Sequence, residues 1–157
     1  MNNIFEEHQY QRRLFPWLLV TFIWAVSIWH IYNNGLSKEN LAFDISILLL
    51  LPLAISLLLL FLKLSVRIDK NYLMYKMFPF HLTYRRIKLD EISNVTVKEY
   101  NTDRTFHGWG MGIPLNKNYK SYTVKGYKGV EISLNDGKKI FIGTQQPKSL
   151  IESLNIE

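Results

Sequence analysis

The 157-residue chain contains no cysteine. That excludes a disulfide framework, a thiolate nucleophile and a cysteine-ligated metal, and it fits a reducing compartment. The four histidines, His8, His30, His81 and His107, are scattered without metal-ligand spacing. No serine sits in a nucleophile elbow. Neither a G-x-G-x-x-G run nor a Gly-Lys-Ser/Thr ending is present. The one acidic pair in the second half, Asp90-Glu91, falls at a turn and reads as capping or solvated rather than catalytic. With no acid/base constellation to name, the reading is of a non-enzyme with no cofactor and no metal site.

Charge is nearly absent from two long stretches. Leu14–Tyr32 is nineteen residues without a formal charge, about 28 Å as a helix and close to the thickness of a bilayer core. Trp17 and Trp29 lie near its ends and Tyr32 just beyond, as in an interfacial aromatic belt. Pro16 falls in the first turn, where a missing N–H costs little. A second span covers Leu41–Leu62; its core from Ile45 is uncharged and rich in leucine, and Pro52 is expected to kink it. The polar connection Asn33–Asn40 allows only a tight antiparallel hairpin. Residues 1–63 are therefore read as an N-terminal tail plus a transmembrane hairpin.

Arg12 and Arg13 precede the first span, and Lys63, Arg67 and Lys70 follow the second, whereas the connection carries only Lys38. The positive-inside rule then puts both termini in the cytoplasm, as a multi-pass protein of the cytoplasmic membrane. The apolar stretch is too long for a signal-peptide core, and no small-residue cleavage site follows it. Two polar residues, His30 and Asp44, fall near the outer ends of the spans. Either they meet and set the register of the hairpin, or both reach the external headgroups.

Residues 64–157 carry fifteen basic and nine acidic side chains, so the whole net charge of +6 lies there, the first part being balanced four against four. Such a domain suits anionic headgroups or acidic partners. Arg67, Lys70, Lys76, Arg85, Arg86 and Lys88 lie early in it, close in sequence to the second span, and are the candidates for contact with the membrane surface, the first five foremost. No nucleic-acid motif accompanies them, and nucleic acid is not expected as a partner.

The hydrophobic period becomes two after Lys63: Leu64, Val66 and Ile68 alternate with Ser65, Arg67 and Asp69. Returning or further strands are expected at Tyr72–Met77, Arg85–Leu89, Val95–Tyr100, Tyr119–Val124, Val130–Leu134 and Lys138–Ile142. Phe78-Pro79-Phe80 interrupts pairing, and Asp136-Gly137 suits a type I′ hairpin turn. A terminal helix beginning at Gln146-Pro147 carries Leu150, Ile151 and Leu154 on one face. Seven short strands and a helix suggest a small sheet closed, or nearly so, on itself. Between the strands, Gly108-Trp109-Gly110 and Gly112 form an unusual loop. It is either a binding loop, with Trp109 as the anchor and Arg104 and His107 beside it, or a structural one in which the tryptophan packs on the sheet.

Several local runs carry a further likeness: Ile87-x-Leu89-Asp90-Glu91-Ile92-Ser93-x-Val95, Gly108-Trp109-Gly110, Gly129-Val130-Glu131-Ile132, Asp136-Gly137-Lys138, Ile142-Gly143-Thr144 and Pro147. With two N-terminal spans ahead of them, they resemble bacterial membrane proteins bearing a PH-like (pleckstrin-homology) domain, over most of residues 64–157. The resemblance implies an α+β membrane protein: a transmembrane hairpin, then a small antiparallel PH-like β-barrel with a C-terminal capping helix. It implies a protein-interaction or scaffold module. Phosphoinositide binding does not carry over, since no basic pocket motif matches. The expected function is a non-catalytic, membrane-anchored interaction module, with the lipid bilayer and a protein as partners and oligomer contacts through the leucine-rich span. The alternatives are an accessory subunit of a transporter or other membrane complex that uses the hairpin as its surface and, ranked below it, an enzyme of lipid headgroups.

Overall fold

A computed structural model describes residues 5–12, 14–99, 110–112 and 118–154, with backbone only at 110–112. The chain forms two compact units, Arg12–Phe61 and the combination of Met1–Gln11 with Leu62–Glu157.

The first unit is a pair of helices, α1 (Leu14–Asn34) and α2 (Leu41–Phe61), each 21 residues long, or about 31 Å. Most of their large apolar side chains are exposed, among them Leu18, Phe22, Trp29, Leu50 and Leu60. Ser46–Leu50 is a π turn in α2, in which the Leu51 N–H reaches back to the Ser46 carbonyl. It stands directly before Pro52, whose ring has no N–H to give and crowds the preceding turn. The proline expected to kink the span is thus accommodated by one widened turn.

The second unit begins with a strand that the hydrophobic pattern hides. β1 (Phe5–Tyr10) points Phe5, Glu7 and Gln9 inward and Glu6, His8 and Tyr10 outward. It pairs antiparallel with β2 (Lys63–Ile68), which pairs with β3 (Tyr72–Phe78), which pairs with β4 (Arg85–Lys88). Residues 5–11, grouped by sequence with the hairpin, pair with the sheets instead. The ladder continues to the helices: the Gln11 N–H donates to the Leu62 carbonyl at 3.2 Å. The two places where the chain passes between the units are neighbours.

A second sheet holds β5 (Ile92–Glu99), β8 (Lys128–Leu134), β9 (Lys139–Gly143), β7 (Tyr119–Thr123) and β6 (Gly110–Gly112), in that order. The β7–β9 pair is parallel and every other pairing is antiparallel. The strands thus form two separate sheets, neither closed into a barrel, rather than the single closed antiparallel sheet expected. The break falls between β4 and β5, consecutive in the chain across a single turn at Leu89–Glu91 but joined by no ladder, so the described strands end on the edges β1 and β4 in one sheet and β5 and β6 in the other. The β8–β9 hairpin also differs in detail. Gly137 N–H donates to Leu134 at 3.0 Å and Leu134 N–H to Lys138 at 2.8 Å. The loop therefore has three residues, Asn135–Gly137, with Gly137 at φ +80°, in place of a two-residue type I′ turn.

The core gathers Leu64, Val66, Ile68, Leu73 and Met77 from the first sheet and Val130, Ile132 and Ile142 from the second. The terminal helix α3 (Pro147–Leu154) adds Leu150 and Leu154, both buried, with Ile151 half-buried against them. That is the face expected from their spacing.

Candidate interaction surface

In the first sheet, register decides which side chains share a face. Leu64, Val66 and Ile68 point to the core, so Lys63, Ser65 and Arg67 point away from it. Tyr10 lies opposite Lys63 and Glu6 opposite Arg67. Phe78, Lys76 and Met74 lie opposite Lys63, Ser65 and Arg67. Arg86 and Lys88 continue the same face on β4. It thus holds five basic side chains, Lys63, Arg67, Lys76, Arg86 and Lys88, against the single carboxylate of Glu6.

Aromatic rings stand among these cations. The Lys63 ammonium lies 5.0 Å from the Tyr10 ring centre, and the Arg67 guanidinium 4.9 Å from that of Tyr84. Lys76 lies 5.9 Å from both Phe78 and Tyr84. Such contacts hold the cations close to the sheet without neutralising them. Arg67 also donates from Nε and its terminal nitrogen to Glu6, each at 2.7 Å, while His8 lies 3.0 Å from Glu6 and from Ser65.

The loop from β3 to β4 leaves the sheet at Phe78, opposite Lys63, at the end where the chain joins both helices. Phe78–Pro79 is a cis peptide. In this loop Phe80 is 46 % exposed and Leu82 is 74 % exposed, whereas His81 between them is 7 % exposed. His81 donates its backbone N–H to Met77 at 2.7 Å. Its ring lies edge-on to Tyr122 and Tyr75, at centroid distances of 5.4 and 6.2 Å, and the two tyrosine rings are 4.9 Å apart. Burial, with the Arg85 and Lys120 charges nearby, holds the imidazole below its ordinary range. Burial, with the Tyr122 phenol beside it, pushes the Tyr75 phenol well above the usual tyrosine range. The buried histidine is a peg, and it forces its two apolar neighbours outward.

Of the basic residues singled out by sequence, Arg67, Lys76 and Arg86 share the outer face. Arg85 alternates to the other side, in register with the buried Tyr75. Lys70 sits in the β2–β3 turn, at the opposite end of the strands from the helices, where Asp69 Oδ1 accepts the N–H groups of Asn71 and Tyr72 at 2.9 and 2.7 Å. Lys88, named with them in the sequence, shares the outer face as well, and so does Lys63, read there only as a flank of the second span; Phe80, Leu82 and Tyr84 were missed. The exposed Phe80-x-Leu82 pair beside a proline was their only local signal.

Arg104, His107, Gly108 and Trp109 lie outside the described residues. Gly110 begins β6, in register with Thr123. The polar pair near the hairpin turn does not meet: Asp44 Oδ2 accepts the Ser37 N–H at 2.8 Å, and His30 Nδ1 lies 3.4 Å from the Asn34 amide. Among the described residues a polar contact between the helices is made instead by Trp24 Nε1, which donates to Ser56 Oγ at 3.1 Å, with Ser56 donating in turn to the Pro52 carbonyl at 2.7 Å. Among the described residues, no three histidine, aspartate or glutamate side chains are grouped to hold a metal. No protein-family model matches the chain, and a search of curated proteins finds no match to it.

Proposed function

We propose that the chain is a non-catalytic, membrane-anchored interaction module, with helices α1 and α2 crossing the cytoplasmic membrane as a hairpin and the sheet unit presented on its cytoplasmic face. The observation that carries this reading is the Gln11–Leu62 hydrogen bond. It brings together the start of one 21-residue apolar helix and the end of another. A hairpin entering and leaving from one point needs both flanks on one side of a bilayer, and the basic residues Arg12, Lys63 and Arg67 lie on those flanks. Their exposed apolar surface suits lipid. The PH-like reading is part of the same proposal and draws support from the two sheets with a terminal helix packed into their core.

The absence of cysteine allows a direct test. Single cysteines are placed at Lys38, between the helices, and at Asn135, in the exposed β8–β9 loop. In intact bacterial cells or spheroplasts, a membrane-impermeant maleimide is expected to label the Lys38 position and to reach Asn135 only after lysis. The chain is also expected to stay in the membrane fraction through alkaline carbonate extraction. Release by carbonate, or labelling of Asn135 from outside, overturns the reading.

A further inference from the structure

We propose that the β3–β4 loop, with the basic face beside it, is a docking surface for an anionic lipid bilayer: Phe80 and Leu82 enter the headgroup region while Lys63, Arg67, Lys76 and Arg86 meet lipid phosphates. The inference rests on the membrane-anchor reading and names the partner of the sheet unit.

Three observations meet here. The first is charge: the outer face of the four-stranded sheet is basic with one carboxylate, complementary to an anionic leaflet. The second is the paired exposure of Phe80 and Leu82 around the buried His81. Two large apolar side chains held outward beside a row of cations combine apolar insertion with electrostatic attraction, the two terms that bind a surface to anionic lipid. The third is continuity. The loop follows Phe78, which pairs with Lys63, and Lys63 is two residues from the end of α2. The same end of the ladder carries Tyr10 over Lys63, and tyrosine with lysine suits the level of the headgroups. Arg67 and Arg86 stand four residues further along the strands, about 13 Å at the usual rise.

A soluble acidic protein would also find this face complementary in charge. It would not account for two exposed apolar side chains at the end of the sheet where both apolar helices join the chain.

The experiment uses the full-length chain with one cysteine at the exposed Thr83, labelled with an environment-sensitive fluorophore. The protein is reconstituted into nanodiscs of phosphatidylcholine alone or with phosphatidylglycerol at about one lipid in three, each with a doxyl-labelled lipid as quencher. Docking predicts quenching at least threefold stronger in the anionic discs, reversed by about 0.5 M NaCl. The signal is expected to be lost in Phe80→Ser/Leu82→Ser and weakened in Lys76→Gln/Arg86→Gln, all exposed or half-exposed positions whose folding circular dichroism checks. Equal quenching in both lipids, or none in either, from a chain that enters the discs overturns the docking and leaves the anchor standing. Quenching kept in the Phe80→Ser/Leu82→Ser variant also overturns it. A chain that fails to enter the discs overturns the anchor reading and the docking with it.

Discussion

The buried carboxylate of Glu7 accepts a short hydrogen bond from the hydroxyl of Thr144, 137 positions away in the chain. It also accepts the Gln145 N–H at 2.9 Å and the Gln9 side-chain amide at 3.0 Å. Gln9 in turn donates to the Gly143 carbonyl at 2.8 Å. The N-terminal strand is therefore fastened to the end of β9 and the approach to α3 by side chains as well as by its ladder to β2. Removing the acceptor leaves buried donors without partners, at about 1–3 kcal/mol. Glu7→Ala is expected to lower the stability of the sheet unit by about 2 kcal/mol, read as a fall in the thermal midpoint of the detergent-solubilised chain. Thr144→Val removes one donor to the carboxylate and the acceptor of the Gln146 N–H at 3.0 Å, and is expected to lower the midpoint as well, while the carboxylate keeps its other bonds. Equal midpoints for Glu7→Ala and the unaltered chain would refute the fastening.

His81 makes stability depend on pH. Its folded-state affinity for protons is held below the ordinary histidine value of about 6.5. As pH falls, the unfolded chain takes up the proton first. The contribution to stability is intact above about pH 6.5, declines below it, and levels off once the folded imidazole also titrates. The charged groups near the ring, Arg85 and Lys120, are both cations and give no relief. His81→Phe is expected to flatten the fall in thermal midpoint between pH 7.5 and 5. An unchanged slope would show that other groups set it.

Inside the hairpin, the Trp24–Ser56 hydrogen bond is expected to contribute modestly. Polar contacts between membrane helices average about 0.6 kcal/mol in double-mutant cycles. A cycle of Trp24→Phe and Ser56→Ala, followed by unfolding in mixed micelles, should yield a coupling of that size. Additive effects would mean that the contact carries no energy. The same cycle on His30 and Asp44, which bond to different partners, is expected to show no coupling.

Gly129 is a steric prediction. A Cβ built there would lie 2.2 Å from Phe141 Cζ and 2.7 Å from the Ile142 carbonyl oxygen. The phenyl ring occupies the space of the missing side chain, and the backbone oxygen cannot move without disturbing β9. Gly129→Ala is expected to destabilise by about 1–3 kcal/mol. At Gly137, with open space around it but φ +80°, the backbone rather than a clash would strain a side chain, and Gly137→Asn should be tolerated better than Gly137→Val.

Local pattern and tertiary context divide the molecule cleanly. By itself the sequence determined both apolar helices, because a long run without charge has few alternatives. It also determined the alternating strands β2, β3 and β8 and the buried face of α3, where hydrophobic period and structure coincide. Only the tertiary structure decided that Phe5–Tyr10 is a strand, since its inward positions include Glu7 and Gln9, polar residues whose burial is made tolerable by partners more than a hundred residues away. It decided that β7 lies parallel to β9, a pairing that no local period encodes, and that β4 and β5 part into two sheets rather than continue one closed barrel. It also sorted the basic residues: Arg85 and Arg86 are adjacent in the chain, and strand alternation sends one toward the His81 pocket and the other to the outer face. Composition set the charge of the domain, and register set where that charge points.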